Sequence, residues 1–120
     1  RLQLSDSSEL LLRLRWLAVL SGHIRASLAV TGGVHTAVDA IKAIMAGAHA
    51  VQLVSALLQH GPERLNTIRE EMIRWMESHE YHSLSQMQGS MNLMRCPDPA
   101  AFKRANYMRV LHSWHSTAEL

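Results

Sequence analysis

Between residues 30 and 57 the chain runs through an apolar stretch ending in Gly32 and Gly33, an amphipathic stretch ending in Gly47, and a second apolar stretch ending at Ser55. That succession predicts strand, helix, strand. In the middle stretch Ala37, Ile41, Ile44, Met45 and Ala48 fall on one helical face. Thr36 followed by Asp39 has the form of a capping box, which starts the helix at Ala37, and Gly47 closes it. A strand, crossover helix and strand of this length form a βαβ unit, whose strands are parallel.

The flanks extend the pattern. Residues 9–21 are dense in Leu, Trp and Val, with Leu10, Leu14, Trp16, Leu17 and Leu20 covering more than half of a helical circumference. This predicts a helix buried on most sides, capped by Ser7 or Ser8 and ended by Gly22. Residues 23–31 read as the first strand, with Ile24, Ala26, Leu28 and Val30 on one face and Arg25, Ser27 and Ala29 on the other. The second strand is predicted over 49–54. From Gly61 and Pro62 a long helix is expected, with Leu65, Ile68, Met72, Trp75 and Met76 as its apolar stripe. Beyond Tyr81 no further strand is predicted. Residues 84–91 suggest a short helix, and Asp98-Pro99 announces a last one with Ala101, Ala105, Met108 and Leu111 as its buried face.

Two parallel strands with helices around them leave most of their apolar surface wet. The chain is therefore expected either to be part of something larger or to assemble with other copies. The expected setting is a closed α/β barrel, of which residues 1–81 supply about the last quarter and residues 82–120 a helical tail. In such barrels the chemistry sits on the loops at the carboxyl ends of the strands.

Composition narrows the setting without changing it. A chain of 120 residues that is 48% hydrophobic and 18% charged, with net charge +2, is ordinary for a globular domain. The basic residues are scattered among acids, which argues against a nucleic-acid footprint. No apolar run approaches the ~20 residues needed to span a bilayer, no signal-peptide pattern is present, and a single cysteine, Cys96, cannot form an internal disulfide. The cytoplasm is the expected compartment. The first residue is Arg1 and not Met, which suggests a start inside a longer protein.

The candidate chemistry lies at the two strand ends. A glycine pair that leaves a parallel strand and opens a helix offers free backbone N–H groups and a positive dipole end, the usual means of holding phosphate. The alternative is a tight turn with no ligand. The histidine pairs His79/His82 and His112/His115 sit at helical spacing, yet no carboxylate or cysteine recurs at ligand spacing, so no metal site is assigned. Cys96 reads as a plain small residue, and Met72, Trp75 and Met76 as core.

T-G-G-V at 31–34, D-A-I-K-A-I-M-A-G-A at 39–48 and V-Q-L-V-S-A-L at 51–57 together resemble the closing two strands of the flavin-dependent dihydroorotate dehydrogenases. L-R-W-L-A-V-L at 14–20, H-G-P-E at 60–63, G-S-M at 89–91 and D-P-A-A-F-K-R-A-N-Y-M at 98–108 extend the resemblance over nearly the whole chain. It implies an α/β fold, the C-terminal part of a (β/α)8 TIM barrel with a helical extension. It also implies FMN as cofactor, its phosphate held by Gly32 and Gly33 from the first loop and by Val54 and Ser55 from the second. The family's usual second pair is Gly-Thr, so Val54 is a departure that keeps the hydroxyl at Ser55. A family glycine near Leu4, Ser5 and Asp6 is also missing. The flavin-side lysine, the substrate-binding asparagines and the catalytic base belong to earlier strands of the family and have no counterparts here.

The expectation is thus a C-terminal fragment of an FMN-dependent oxidoreductase of pyrimidine biosynthesis. It would be inactive alone, with FMN and a small-molecule substrate as partners of the complete protein. The alternative is a non-catalytic phosphate-binding or assembly module that completes its sheet as a homo-oligomer.

Overall fold

A computed structural model of the chain describes residues 1–98 together with Ala100 and Arg104. The helix expected around Ala101, Ala105, Met108 and Leu111, and the pair His112/His115, lie outside the described residues. Element order is α1 (Leu10–Leu20), β1 (Ala29–Thr31), α2 (Ala37–Ala46), β2 (Ala50–Gln52), α3 (Ser55–His60), α4 (Arg64–Ser78) and α5 (Leu84–Met87). Single 3-10 turns precede α1 at Ser7–Glu9 and follow α5 at Leu93–Arg95.

The βαβ unit is the centre of this arrangement. β1 and β2 pair in parallel with Ala29 opposite Ala50, Val30 opposite Val51 and Thr31 opposite Gln52. α2 starts at Ala37 because the capping box forms in full: the Asp39 N–H donates to Thr36 Oγ1, and the Thr36 N–H donates to the Asp39 carboxylate. Such a cap contributes about 1 kcal/mol. Ala37, Ala40, Ala43 and Ala46 are buried along α2, so short side chains let it sit close beneath α1 and over the strands. Ile41 and Ile44 point the other way, into a second cluster with Met87, Trp75 and Met76.

Several expectations are corrected. The first strand covers three residues and not 23–31, and Ile24 on its supposed inner face is exposed. The second strand likewise shortens to Ala50–Gln52. Asp6, not Ser7 or Ser8, caps the first turn, its carboxylate accepting from the Ser8 N–H. The long helix starts at Arg64 and not at Gly61 and Pro62, which form the turn that separates it from α3.

The largest correction concerns burial. Helix α1 buries only Leu10, Leu17 and Ala18, while Leu11, Leu12 and Trp16 are more than half exposed. On α4 only Ile68 is fully buried, and Leu65 at the start of the stripe is exposed. The apolar pattern specifies more partners than the two strands and their helices supply. Each strand exposes alternate residues on one face, Ala29 and Thr31 on β1 and Ala50 and Gln52 on β2, while Val30 turns to the helices. Among the described residues no helix is long and apolar enough to cross a membrane.

Candidate functional site

The parallel register brings the two strand ends side by side, since Thr31 and Gln52 are partners. The residues that follow each strand face one another across a small cup of about 90 Å³. Gly32 and Gly33 line it from the first loop, and Val54 and Ser55 from the second. All four sequence-predicted residues therefore meet in one place. A third wall comes from Ser5, far away in sequence.

The glycine pair adopts a conformation that side chains resist, with φ of 83° at both positions. At Gly33 space is also lacking: a Cβ would stand 2.7 Å from the Leu10 backbone nitrogen and 3.0 Å from the Asp6 carbonyl oxygen. The loop thus packs directly on the turn that enters α1. At Gly32 a Cβ would meet the Arg13 guanidinium, 2.8 Å from Nη2, the far end of a flexible side chain that is paired with Glu9. Val54 is the N-cap of α3, with φ of −126°, a value open to any residue, and its side chain is 60% exposed.

Ser5 joins the two loops. The Gly33 N–H donates to Ser5 Oγ at 3.2 Å, and the Ser5 N–H donates to Ser55 Oγ at 3.1 Å. The two hydroxyls lie 2.9 Å apart. A hydroxyl has one proton to give. Two hydroxyls share one hydrogen bond here, so whichever donates, the other keeps a proton with no acceptor among the described residues. The first N–H groups of α3 also lack intrahelical partners, as at any helix start. The Gly33 and Ser5 N–H groups are thus paired inside the cup, which leaves one hydroxyl proton and the first N–H groups of α3 as its unspent donors, in a space too small for a flavin ring.

His35 and Arg64 brace this arrangement. His35 Nε2 donates to the Ser5 carbonyl at 2.8 Å, and the His35 N–H donates to Asp39 at 3.0 Å. Arg64 donates twice to the His35 carbonyl, through Nε at 3.3 Å and Nη2 at 2.9 Å. Asp6, beside Ser5, has its carboxyl held below the ordinary value of 3.8, first by the Ser8 hydroxyl and then by the Ser8 N–H. Sequence reasoning missed Ser5, His35 and Arg64. The only signal was the absent family glycine near Leu4, Ser5 and Asp6, which marks that segment as close to the loops.

The remaining candidates lie elsewhere. His79 stacks on Trp75 at 3.9 Å between ring centroids, and its Nδ1 lies 2.8 Å from the Trp75 carbonyl. Among the described residues no three His, Cys, Asp or Glu side chains converge. Cys96 is half-buried at the end of the Leu93–Arg95 turn, away from the cup.

Comparison with known proteins agrees with the geometry. The sequence profile of the family described as dihydroorotate dehydrogenase matches residues 14–76, a span that contains both strands and both loops of the cup. A dihydroorotate dehydrogenase B (NAD(+)) catalytic subunit from Thermoplasma acidophilum is 40% identical over 58 residues, 48% of this chain and 19% of that protein. Proteins assigned as dihydroorotate dehydrogenase A (fumarate) in Streptococcus agalactiae and Streptococcus uberis are 36% identical over 64 residues, 53% of this chain and 21% of theirs. The matched stretch spans about a fifth of the length of these relatives. With more than half of its residues inside the family profile, the chain belongs to the dihydroorotate dehydrogenase family.

Proposed function

We propose that this member of the dihydroorotate dehydrogenase family supplies the phosphate-binding end of an FMN site, as the C-terminal part of a (β/α)8 barrel oxidoreductase. Residues 1–81 would form the closing part of the barrel and residues 82–120 its tail. The observation that carries the reading is the hydroxyl pair of Ser5 and Ser55, with one proton unspent, set against the crowded backbone of Gly33. Gly32, Gly33 and Ser55 would hold the phosphate with Ser5, and Val54 would flank the entry. When bound, FMN supplies a hydride acceptor for oxidation of dihydroorotate or a related small molecule. The chain's own share would be to hold the phosphate at the two strand-end loops. The resemblance puts the family's catalytic base on earlier strands, so the chain alone is expected to give no turnover.

The exposed flanks support a role within a larger assembly. Leu12, Trp16 and Leu20 line one open side of the sheet, and Leu65, Ile73 and Leu84 the other. Further strand and helix units would cover both sides in a complete barrel. In a non-catalytic module other copies of the chain would do so, and light scattering on the purified chain separates a defined oligomer from a monomer with open flanks.

Phosphorus NMR and flavin fluorescence test the cup directly. The 120-residue chain should bind FMN and inorganic phosphate at one competing site, and Ser55→Ala should weaken both. Absence of competition between the two ligands would remove the phosphate cup. Oxidation of dihydroorotate by the chain with added FMN would refute the fragment reading.

A further inference from the structure

We infer that His35 is a positioning residue, a clasp that holds residues 4–6 across the glycine loop and so delivers the Ser5 hydroxyl to the cup. The inference rests on the phosphate reading for its ligand but not for its geometry. Ser5 has no secondary structure to fix it, since the first turn begins only at Ser7. It is placed by four hydrogen bonds, of which three run to or from its N–H and hydroxyl and involve Ser55 and Gly33. Those three would be disturbed by any ligand that competes for the hydroxyls. The fourth, from His35 Nε2 to the Ser5 carbonyl at 2.8 Å, uses neither hydroxyl, so a ligand that takes the hydroxyls does not compete for it.

The ring is set for this task from both sides of its own backbone. The His35 N–H is tied to Asp39 within the capping box of α2, and its carbonyl is gripped twice by Arg64 of α4. A carbonyl oxygen can only accept, so the ring proton must sit on Nε2. The clasp thus links α2 and α4 to a segment that otherwise belongs to the entry of α1. With it in place, the Gly33 N–H stays bonded to Ser5 Oγ and the remaining hydroxyl proton is held toward the cup.

Two readouts on the 120-residue chain test the clasp. The first, hydrogen exchange at the Gly33 amide, needs no ligand. His35→Leu should speed that exchange about fivefold, the weight of one hydrogen bond on a local opening. It should weaken inorganic phosphate binding by a similar factor. His35→Gln carries an amide N–H at nearly the same reach and should restore both, which a purely packing role would not predict. Unchanged Gly33 exchange in His35→Leu overturns the inference, as does failure of His35→Gln to restore it when the chain remains folded. If exchange follows the expected order while phosphate binds to none of the three proteins, the clasp stands and the phosphate reading falls.

Discussion

Replacing Gly33 by alanine should be the most damaging single change at the cup, and its magnitude can be worked from two separate terms. At φ of 83° an alanine carries the left-handed cost, about 1–2 kcal/mol. The added Cβ would also lie 2.7 Å from the Leu10 nitrogen and 3.0 Å from the Asp6 carbonyl oxygen, both backbone atoms that cannot swing aside. Relieving that overlap shifts the entry of α1 and adds a strain of about 1–3 kcal/mol. Gly32→Ala is the internal control. Its φ is the same 83°, but its Cβ would meet only the end of Arg13, whose ion pair with the half-exposed Glu9 is a local (i, i+4) contact. Loss of such a pair costs at most about 0.5 kcal/mol. Urea unfolding of the two variants beside wild type should therefore place Gly33→Ala below Gly32→Ala by about 0.5–3 kcal/mol. Phosphate binding should also be lost in the former and only weakened in the latter. Equal destabilisation of the two, or a Gly33→Ala chain as stable as wild type, would refute the close packing of this loop on the start of α1.

Ser55→Ala removes one of the paired hydroxyls and should weaken phosphate or FMN binding about tenfold, the weight of one charge-assisted hydrogen bond, and should lower the melting midpoint through the two bonds that Ser5 loses. Thr36→Ala should cost about 1 kcal/mol in urea unfolding by removing the Oγ1 that accepts the Asp39 N–H, and Thr36→Ser should recover most of it. Asp6 has its folded carboxyl held below 3.8 by Ser8, so its contribution to stability is present above that value and is lost as the pH falls through the lower folded value. Melting midpoints of wild type and Asp6→Asn should accordingly converge in acid and differ near neutrality. A gap that persists unchanged to the lowest pH would contradict the direction of that shift.

The sequence was most informative where one local rule acted alone. Thr36 and Asp39 fixed the start of α2 to the residue, because a capping box is a contact between neighbours. Gly32 and Gly33 were legible as a strand-end loop from the strand-helix pattern, and Val54 and Ser55 came only from the family resemblance; the parallel register sets all four around one cup. Burial was not legible. The Leu and Trp residues of α1 carry the pattern of a helix covered on most sides, yet Leu11, Leu12 and Trp16 lie open, since the pattern records a helix's capacity for burial and not the neighbours it meets among the described residues. The strand over 23–31 failed for a related reason. Alternation of Ile24, Ala26 and Leu28 suits a ladder, but β2 offers only three residues to pair with. Ser5 and His35 were invisible because their bond spans thirty positions and neither belongs to a periodic run.

These observations separate anchorage from chemistry. Every group that forms or braces the cup comes from residues 5–64: Ser5, the Gly32–Gly33 loop, His35, Asp39, Ser55 and Arg64. They are held by one parallel register, one capping box and one arginine, all internal to the βαβ unit and its neighbouring helices. The cup therefore depends little on the open flanks, where Trp16 and Leu65 are exposed and further strands would pack. A cup braced in this way is ordered by its own neighbours. On the function proposed above, phosphate binding should fall with changes at Gly33, His35 or Ser55 and should be insensitive to polar substitution of the exposed Trp16 or Leu65, and equal losses at both sets of positions would contradict this separation.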